Sequence, residues 1–598
     1  MFCLAIVLGN AAEASAKFNR WLRAADPAGT LCPTRMECAY PWGWCGFAGR
    51  GHLIVRRGGN GRLLVVHGAV LDAKLRRELE TSPDWEKLAD RLPETTGQFV
   101  FACVREHPTK PILAGMDNLG MKSLFWSERN GVSTISNLSL LCGLLVGQSE
   151  QDSDYVRDLV IKDSVLPWKS MLRDVGRVQR GSYLTVTDGR VRTETNRFRD
   201  LHLQAVDRAT ALESLRQATR SLPSYGQSHL LGLTGGVDGR LMQALLMAEK
   251  IPFEAATHMM PCLDGDIARE LAACAGVVHW PVGRSRGDAM VPLSKYFAYL
   301  PWSEGTYSWS VINQPSSVYD LVGYRGMIHL GGLGGEPARS YWDMASARYD
   351  SPEELIISRF FSPLKQGFYP NAKIAEQSRQ DWLSLTRVEE TVDRFVSMQV
   401  AYHDARLRGP IVLRANSTAV DYAWPLSNPE FYAYAWRLPR AERQAGVIFD
   451  DFIRELAPAL LAIRWNKGNA GTYVKGGLQG LGDAAKDYIK KWEFVHVLRS
   501  KWHRPARHWS WPYVRRIVLA EFFGDPEVRE WLRLHFGETG IGMVATFSPS
   551  YVSQSEKMVD LYLSWHFLRA LHEANRPRTF WDLAWVRNAM AKISRIEN

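Results

Sequence analysis

The chain has 598 residues, 46% hydrophobic and 23% charged, with a formal net charge of +10. That length exceeds what one hydrophobic core fills, so two or more domains are expected, and the composition excludes a disordered chain. The basic excess is spread thinly, without a block of Lys and Arg, which argues against nucleic acid as a partner, and no apolar stretch is long enough to span a membrane.

The opening "MFCLAIVLGNAAEASA" places an apolar run before small residues, but it lacks a positive leading segment and the run is short. It reads as the first strand of a domain rather than as a signal peptide. The chain is expected to be cytoplasmic, its eight cysteines free thiols. Residues 1–200 are β-rich. Short apolar runs such as "HLIVRR", "RLLVVHG", "GQFVFACVR", "PILAGMD" and "GVSTISN" are separated by Gly, Asn, Asp and Pro, with helices at "DAKLRRELE" and "SDYVRDLVIKD". From about residue 208 the pattern changes to strand–helix alternation. "HLLGL" precedes the helical "GRLMQALLMAEK", "FEAATH" precedes "DGDIARELAACAG", and "VVHWPV" and "RGMIHLGG" follow as strands. Such alternation predicts a parallel sheet with crossover helices, with ligands bound beyond the carboxyl ends of its strands. Beyond about residue 385 the pattern is nearly all helical. Many of the 22 Trp fall after residue 490, interleaved with Arg, and they read as an amphipathic helical core.

Three turns at the predicted strand ends carry chemistry. The first is "LTGGVDGRL", residues 233–241. Gly235 and Gly236 let backbone N–H groups point at an anion, and the helix that follows adds its positive end. Neither the P-loop nor the dinucleotide fingerprint fits, because the Lys-Ser/Thr pair and the third glycine spacing are absent. Asp238 stands where a carboxylate can hold Mg²⁺ on bound phosphates, or where an acid simply caps the helix. The second stretch has Thr257 at a strand end and Asp264 ahead of a helix. The third, "HLGGLGGEP", supplies Gly332, Gly334 and Glu336. Asp238 and Glu336 together offer hard oxygen ligands of the kind Mg²⁺ takes beside a nucleotide.

These motifs, in this order, resemble the synthetase domain of the asparagine-synthetase-like ATP pyrophosphatases. The family loop Ser-Gly-Gly-x-Asp-Ser appears as Thr234-Gly235-Gly236-Val237-Asp238-Gly239. Its Asp before an Ala-rich helix appears as Asp264, and its Gly-x-Gly-Ser/Ala-Asp as Gly332-Leu333-Gly334-Gly335-Glu336. Downstream, "IRWNKGNAGTYV" is similar to the loop that brings a catalytic lysine, here Lys467. The first 200 residues resemble the family's glutaminase half, through "HGAVLDAKLRREL" and "GQFVFAC…PILAGMDNLGMKSLFW". The resemblance implies an α+β, Ntn-hydrolase-like (glutaminase-like) domain over residues 1–200. It implies an α/β parallel-sheet ATP-pyrophosphatase domain with a helical carboxyl-terminal part over residues 205–598. ATP and Mg²⁺ are the cofactors it carries. Thr234, Gly235, Gly236, Asp238, Gly239, Thr257, Asp264, Gly332 and Gly334 are assigned to nucleotide, with Asp238 and Glu336 assigned to metal.

Departures from the pattern narrow the function. Glutamine-dependent members expose an amino-terminal cysteine as nucleophile, whereas residue 2 here is Phe, followed by Cys3, and His67 replaces the amide-binding Asn. Thr234 keeps a hydroxyl, Gly239 loses one, and Glu336 lengthens the reach of an acid. A degenerate glutaminase beside an ATP domain resembles the enzymes that close rings, the β-lactam synthetases and the macrolactam synthetases of lasso peptides. Leu333 fills the slot that β-lactam enzymes give to Tyr, and this favours the lasso branch. The implied reaction adenylates an Asp or Glu side chain of a leader-cleaved precursor peptide, and the peptide's amino-terminal amine then attacks. A leader-processing protease and a leader-recognition protein are the implied partners. "PWSEGTYSW", with Glu304, is read as a wall of the peptide site. An amide ligase acting on a small amino acid, and a peptide-binding pseudo-synthetase, remain the alternatives.

Overall fold

The computed structural model describes residues 2–465 and 511–597 apart from 27–28, 30–31, 106–111, 188–189, 259–262, 283–299, 307–325, 344–348, 388–392, 414–420, 546–551 and 574–582. Lys467 and much of the Trp-rich stretch after residue 490 lie outside the described residues.

Two six-stranded antiparallel sheets come first. One is ordered β10-β8-β9-β1-β3-β2, from β1 (Phe2–Leu8), β2 (Thr34–Tyr40), β3 (Gly43–Gly49), β8 (Phe125–Arg129), β9 (Val132–Ser136) and β10 (Gly176–Arg177). The other is ordered β12-β11-β7-β6-β5-β4, from β4 (Leu53–Arg57), β5 (Leu63–Val70), β6 (Gly97–Val104), β7 (Ile112–Met116), β11 (Ser182–Thr187) and β12 (Arg190–Thr195). Alternation along the strands builds four layers. Phe2, Leu4, Ile6 and Leu8 meet Leu63, Val65, Val100 and Ala102 between the sheets. Cys3, Ala5 and Val7 face the opposite way, toward α1 (Ala11–Ala25) and α4 (Ser139–Val146). Phe99, Phe101 and Cys103 likewise face α2 (Ala73–Thr81) and α3 (Trp85–Ala89). Both faces of each sheet are covered, so the central strands read as continuous apolar runs. The result is an α-β-β-α layering.

The third sheet has the order β15-β14-β13-β16-β17 and is parallel throughout. Its strands are β13 (Ser228–Gly232), β14 (Glu254–His258), β15 (His279–Val282), β16 (Met327–Leu330) and β17 (Asp421–Ala423). α6 (Arg208–Arg220) precedes β13, α7 (Val237–Ala248) follows it, and α8 (Leu263–Cys274) follows β14. The chain moves outward from β13 to β15 and then returns to the far side of β13 with β16. A topological switch point therefore opens between β13 and β16. Beyond residue 385 the described residues are nearly all helical; the three-residue β17 is too short to show a period against the helices around it.

Buried polar contacts fasten the two parts. The Gln98 side chain donates to the Trp424 carbonyl at 3.2 Å and accepts from its N–H at 2.8 Å, and Tyr225 donates to the Val70 carbonyl at 2.7 Å. The described carboxyl-terminal helices, Trp511–Gly524, Pro526–Ala545, Val552–Glu573 and Ala584–Glu597, use their aromatics as core. Trp531 and Trp585 are buried, and the Trp531 indole donates to Gln151 of the first part. Among the described residues no helix is long and apolar enough to cross a membrane.

Candidate functional site

The turn from β13 into α7 sits at one side of the switch point. Leu233 continues the strand, its N–H bonded to the Ala256 carbonyl at 2.8 Å. Thr234 is exposed, and its hydroxyl accepts from the Gly236 N–H at 3.2 Å. The Gly235 N–H donates to Asp264 in the first turn of α8 at 2.9 Å, so the second predicted motif braces the first. Gly236 occupies the helix cap position of α7 and no side chain caps it. A helix start without a side-chain cap at a switch point keeps the positive end of its dipole at the turn, although the Gly235 and Gly236 N–H groups are engaged by Asp264 and Thr234.

Thr257 turns inward. It is buried, its hydroxyl donates to the Leu233 carbonyl at 2.6 Å, and it lies 2.8 Å from His279 Nε2. Its hydroxyl thus ties β14 to β13 and β15. Gly239, where the family pattern has Ser, has room for a side chain, since a Cβ there meets nothing closer than the Gly232 carbonyl at 3.6 Å.

The turn after β16 closes the other side. A Cβ on Gly332 would lie 2.5 Å from Asp238 Cβ and 2.6 Å from the Gly239 nitrogen, and one on Gly335 would lie 2.3 Å from Asp238 Oδ1. Gly334 has φ +98° and abuts Ser427. Gly332 and Gly334 are therefore required by close packing of one turn on the other, a role that the phosphate-cradle reading did not include.

The pair assigned to magnesium is arranged differently from the expectation. Asp238 accepts from both Arg339 Nε at 3.0 Å and Arg339 Nη2 at 2.8 Å, one N–H on each oxygen. Glu336 bends back to accept the Gly334 N–H at 3.0 Å. Burial raises the Asp238 carboxyl while Arg339 pulls it down. Burial, reinforced by the Asp238 charge, pushes Glu336 up to about 7. Magnesium needs carboxylate oxygens at about 2.1 Å in octahedral geometry, and a guanidinium already covers both oxygens of one ligand. The residues as arranged do not fit that ion, and among the described residues no group of three or more His, Cys, Asp or Glu gathers to hold a metal.

Two arginines at the site had no place in the sequence reading. One is Arg339. The other is Arg240, fully buried on α7 directly behind the glycine turn. It donates to the carbonyls of Leu460, Ile463 and Arg464, each at 2.8 Å, and stacks 3.6 Å from the Trp465 ring centre. The last described residues before Lys467 are thus anchored to the helix that starts at the anion-binding turn. The signal for Arg240 was its place inside "GGVDGR".

The first part has a small cavity at the start of β1. Phe2 stacks on His67 at 4.1 Å with the rings 7° apart, and His67 Nε2 lies 3.0 Å from the Arg50 carbonyl. Asn137 brackets β1, donating to the Phe2 carbonyl at 2.9 Å and accepting from the Leu4 N–H at 2.6 Å. The space left among Phe2, His67, Lys122, Asn137 and Trp302 is about 20 Å³, room for about one water and not for a glutamine side chain. Cys3 points away from it, toward α1 and α4. It is fully buried, and burial holds its thiol well above the usual range. A thiol one residue out of step on a strand faces the wrong side.

Glu304 is corrected as well. It does not line a peptide wall: it is buried, has φ 56°, and its carboxylate accepts from the Ser139 N–H at 2.5 Å and from the Ser139 hydroxyl. It caps α4 from across the seam between the two parts, where α4 has no local side-chain cap. Burial pushes its carboxyl up to about 7.

No family model matches the chain, and no curated protein does. Among solved structures, a glutamine phosphoribosylpyrophosphate (PRPP) amidotransferase from B. subtilis, complexed with ADP and GMP, is similar at 10% identity and a TM-score of 0.22, over 57% of this chain and 77% of that one. The structure of an allosteric regulatory enzyme of purine biosynthesis is similar at 11% identity and a TM-score of 0.23, over 57% and 77%. Likeness at that level carries no argument about activity.

Proposed function

We propose that this chain is an ATP-dependent, AMP-forming C–N ligase of the asparagine-synthetase-like type, which closes a macrolactam in a leader-cleaved lasso peptide precursor. The observation that carries the nucleotide part is the uncapped glycine turn of α7 at the switch point of a parallel sheet, braced by Asp264 and closed by Gly332. In this reading the carboxylate of a peptide Asp or Glu attacks the α-phosphorus of ATP, pyrophosphate leaves, the amino-terminal amine attacks the acyl carbon, and AMP leaves. The start of α7 holds the departing pyrophosphate, whose charge its N–H groups and helix dipole offset. Lys467 is assigned the charge that grows on the acyl group. The intramolecular amine gains from being held against the acyl carbon, which makes the attack effectively unimolecular.

The sealed cavity around Phe2 and His67 supports an amine other than ammonia from glutamine. That favours a substrate carrying its own nucleophile. A leader-processing protease and a leader-recognition protein remain the proposed partners. A pseudo-synthetase that only binds peptide is the second reading, favoured by the Arg339 guanidinium on Asp238.

Product analysis tests these readings. The protein is incubated with ATP and magnesium, and with either aspartate plus ammonium or leader-free peptides bearing an internal Asp or Glu. AMP and pyrophosphate are measured, with mass spectrometry of the organic product. AMP formed only with a peptide that loses one water supports the cyclase. AMP formed with aspartate and ammonium returns the chain to small-amino-acid amide synthesis, and the absence of AMP with peptide still bound leaves the pseudo-synthetase.

A further inference from the structure

We infer that Arg339 is the resident cation of the switch-point site: it fills the place that the family resemblance gives to magnesium, so the protein without nucleotide holds no divalent ion on Asp238 and Glu336. The inference builds on the reading of this turn as a nucleotide site, but concerns the metal alone.

Three observations converge on it. The Arg339 side chain meets Asp238 as a two-pronged pair, with Nε and Nη2 on separate oxygens at 3.0 and 2.8 Å. This is the fork geometry in which a guanidinium binds a carboxylate most strongly. Asp238 also has no freedom to leave that pair toward the neighbouring turn. Gly332 and Gly335 pack so closely on it that even a methyl group would collide. Glu336, finally, is turned onto the N–H of its own loop at Gly334. A metal there would need two carboxylates freed at once, beside a fixed positive charge. Both paired side chains remain partly accessible, Arg339 at 20% and Asp238 at 14%. Arg339 sits at the end of the short Glu336–Arg339 turn, 101 residues from Asp238 in sequence, and only the docking of the two turns makes the pair.

The test is a titration with Mn²⁺ followed by electron paramagnetic resonance, on the full chain without nucleotide. The wild-type protein is expected to leave the free Mn²⁺ signal unchanged. Arg339→Ala is expected to take up one equivalent, about a hundredfold or more tighter than the wild type, the scale set by removing a unit charge at contact distance from a largely buried site. Adding Asp238→Asn to that variant removes the uptake, and Arg339→Lys, which keeps the charge, stays metal-free. Thermal unfolding of each variant checks that it folds. Wild-type uptake that disappears with Asp238→Asn overturns the inference, as does a folded Arg339→Ala protein that still takes up no Mn²⁺. ATP binding is measured separately by calorimetry. Failure to bind ATP sinks the nucleotide reading and leaves the metal result standing by itself.

Discussion

The two halves differ in how their polar groups are placed. In the first, the space at the start of β1 is filled: Phe2 and His67 stack on each other, and Cys3 lies on the opposite face of its strand. In the second, the polar groups stay near the opening. Thr234 is exposed, α7 begins without a side-chain cap, and the Asp238–Arg339 pair is half-buried. Aromatic packing and a strand register close a site completely, because each residue used for the core is lost to chemistry. The turn that opens α7 is packed by glycine contacts, and its Gly235 and Gly236 N–H groups are held by Asp264 and by the exposed Thr234 hydroxyl. The first half is closed by packing, and the second keeps exposed polar groups at its switch point.

Phe2→Ala breaks the comparison hardest in stability. Removing a ring that is 4% exposed should cost about 3–5 kcal/mol in urea unfolding. AMP formation per folded molecule stays unchanged, and no glutamine hydrolysis emerges, because Cys3 still faces the helices. Glutaminase activity in that variant would show that the first pocket had been read wrongly.

The seam between the halves responds to pH. Glu304 is raised from an ordinary value of 4.5 to about 7, so between those values the folded protein binds a proton that the unfolded chain has already lost. Its contribution is fully present below about pH 4.5 and is lost as pH rises through about 7, by on the order of 3 kcal/mol. Glu304→Gln should flatten that slope between pH 5 and 8 relative to wild type, measured as urea midpoints.

Gly332→Ala is smaller in stability and larger in function. Its methyl group meets backbone that cannot give way, which costs about 1–3 kcal/mol. Calorimetry should show loss of ATP binding, because the two turns are pushed apart. Gly239→Ser gives the smallest effect: the site has room for it, so stability changes by about 0.5 kcal/mol or less. The restored hydroxyl is expected to tighten ATP binding, and weaker binding would count against the α7 turn as the phosphate site.

Much of this was legible in the sequence where a local rule applied. The apolar runs at β1, β5 and β6 and the strand–helix alternation around β13 and β14 follow from period and from Gly and Asp punctuation. The glycine turn between β13 and α7 followed from "LTGGVDG" for the same reason, whereas its lack of a side-chain cap did not. The hairpin of β2 and β3 was missed, because "TRMECAY" and "GWCGFAG" mix glycine, cysteine and charge without clean alternation. β17 was missed because it has three residues.

The sequence by itself determined most of the strands and helices and the glycine turn ahead of α7, since these depend on neighbours within a few residues. Only the tertiary structure decided which side chains meet there. Arg339 reaches Asp238 across 101 residues, Arg240 holds carbonyls 220 to 224 residues away, and Glu304 caps Ser139 across 165. A charge in a sequence carries no address for its partner. Burial and docking supply that address, and here they turned an expected metal ligand into half of an ion pair and an expected substrate wall into a helix cap.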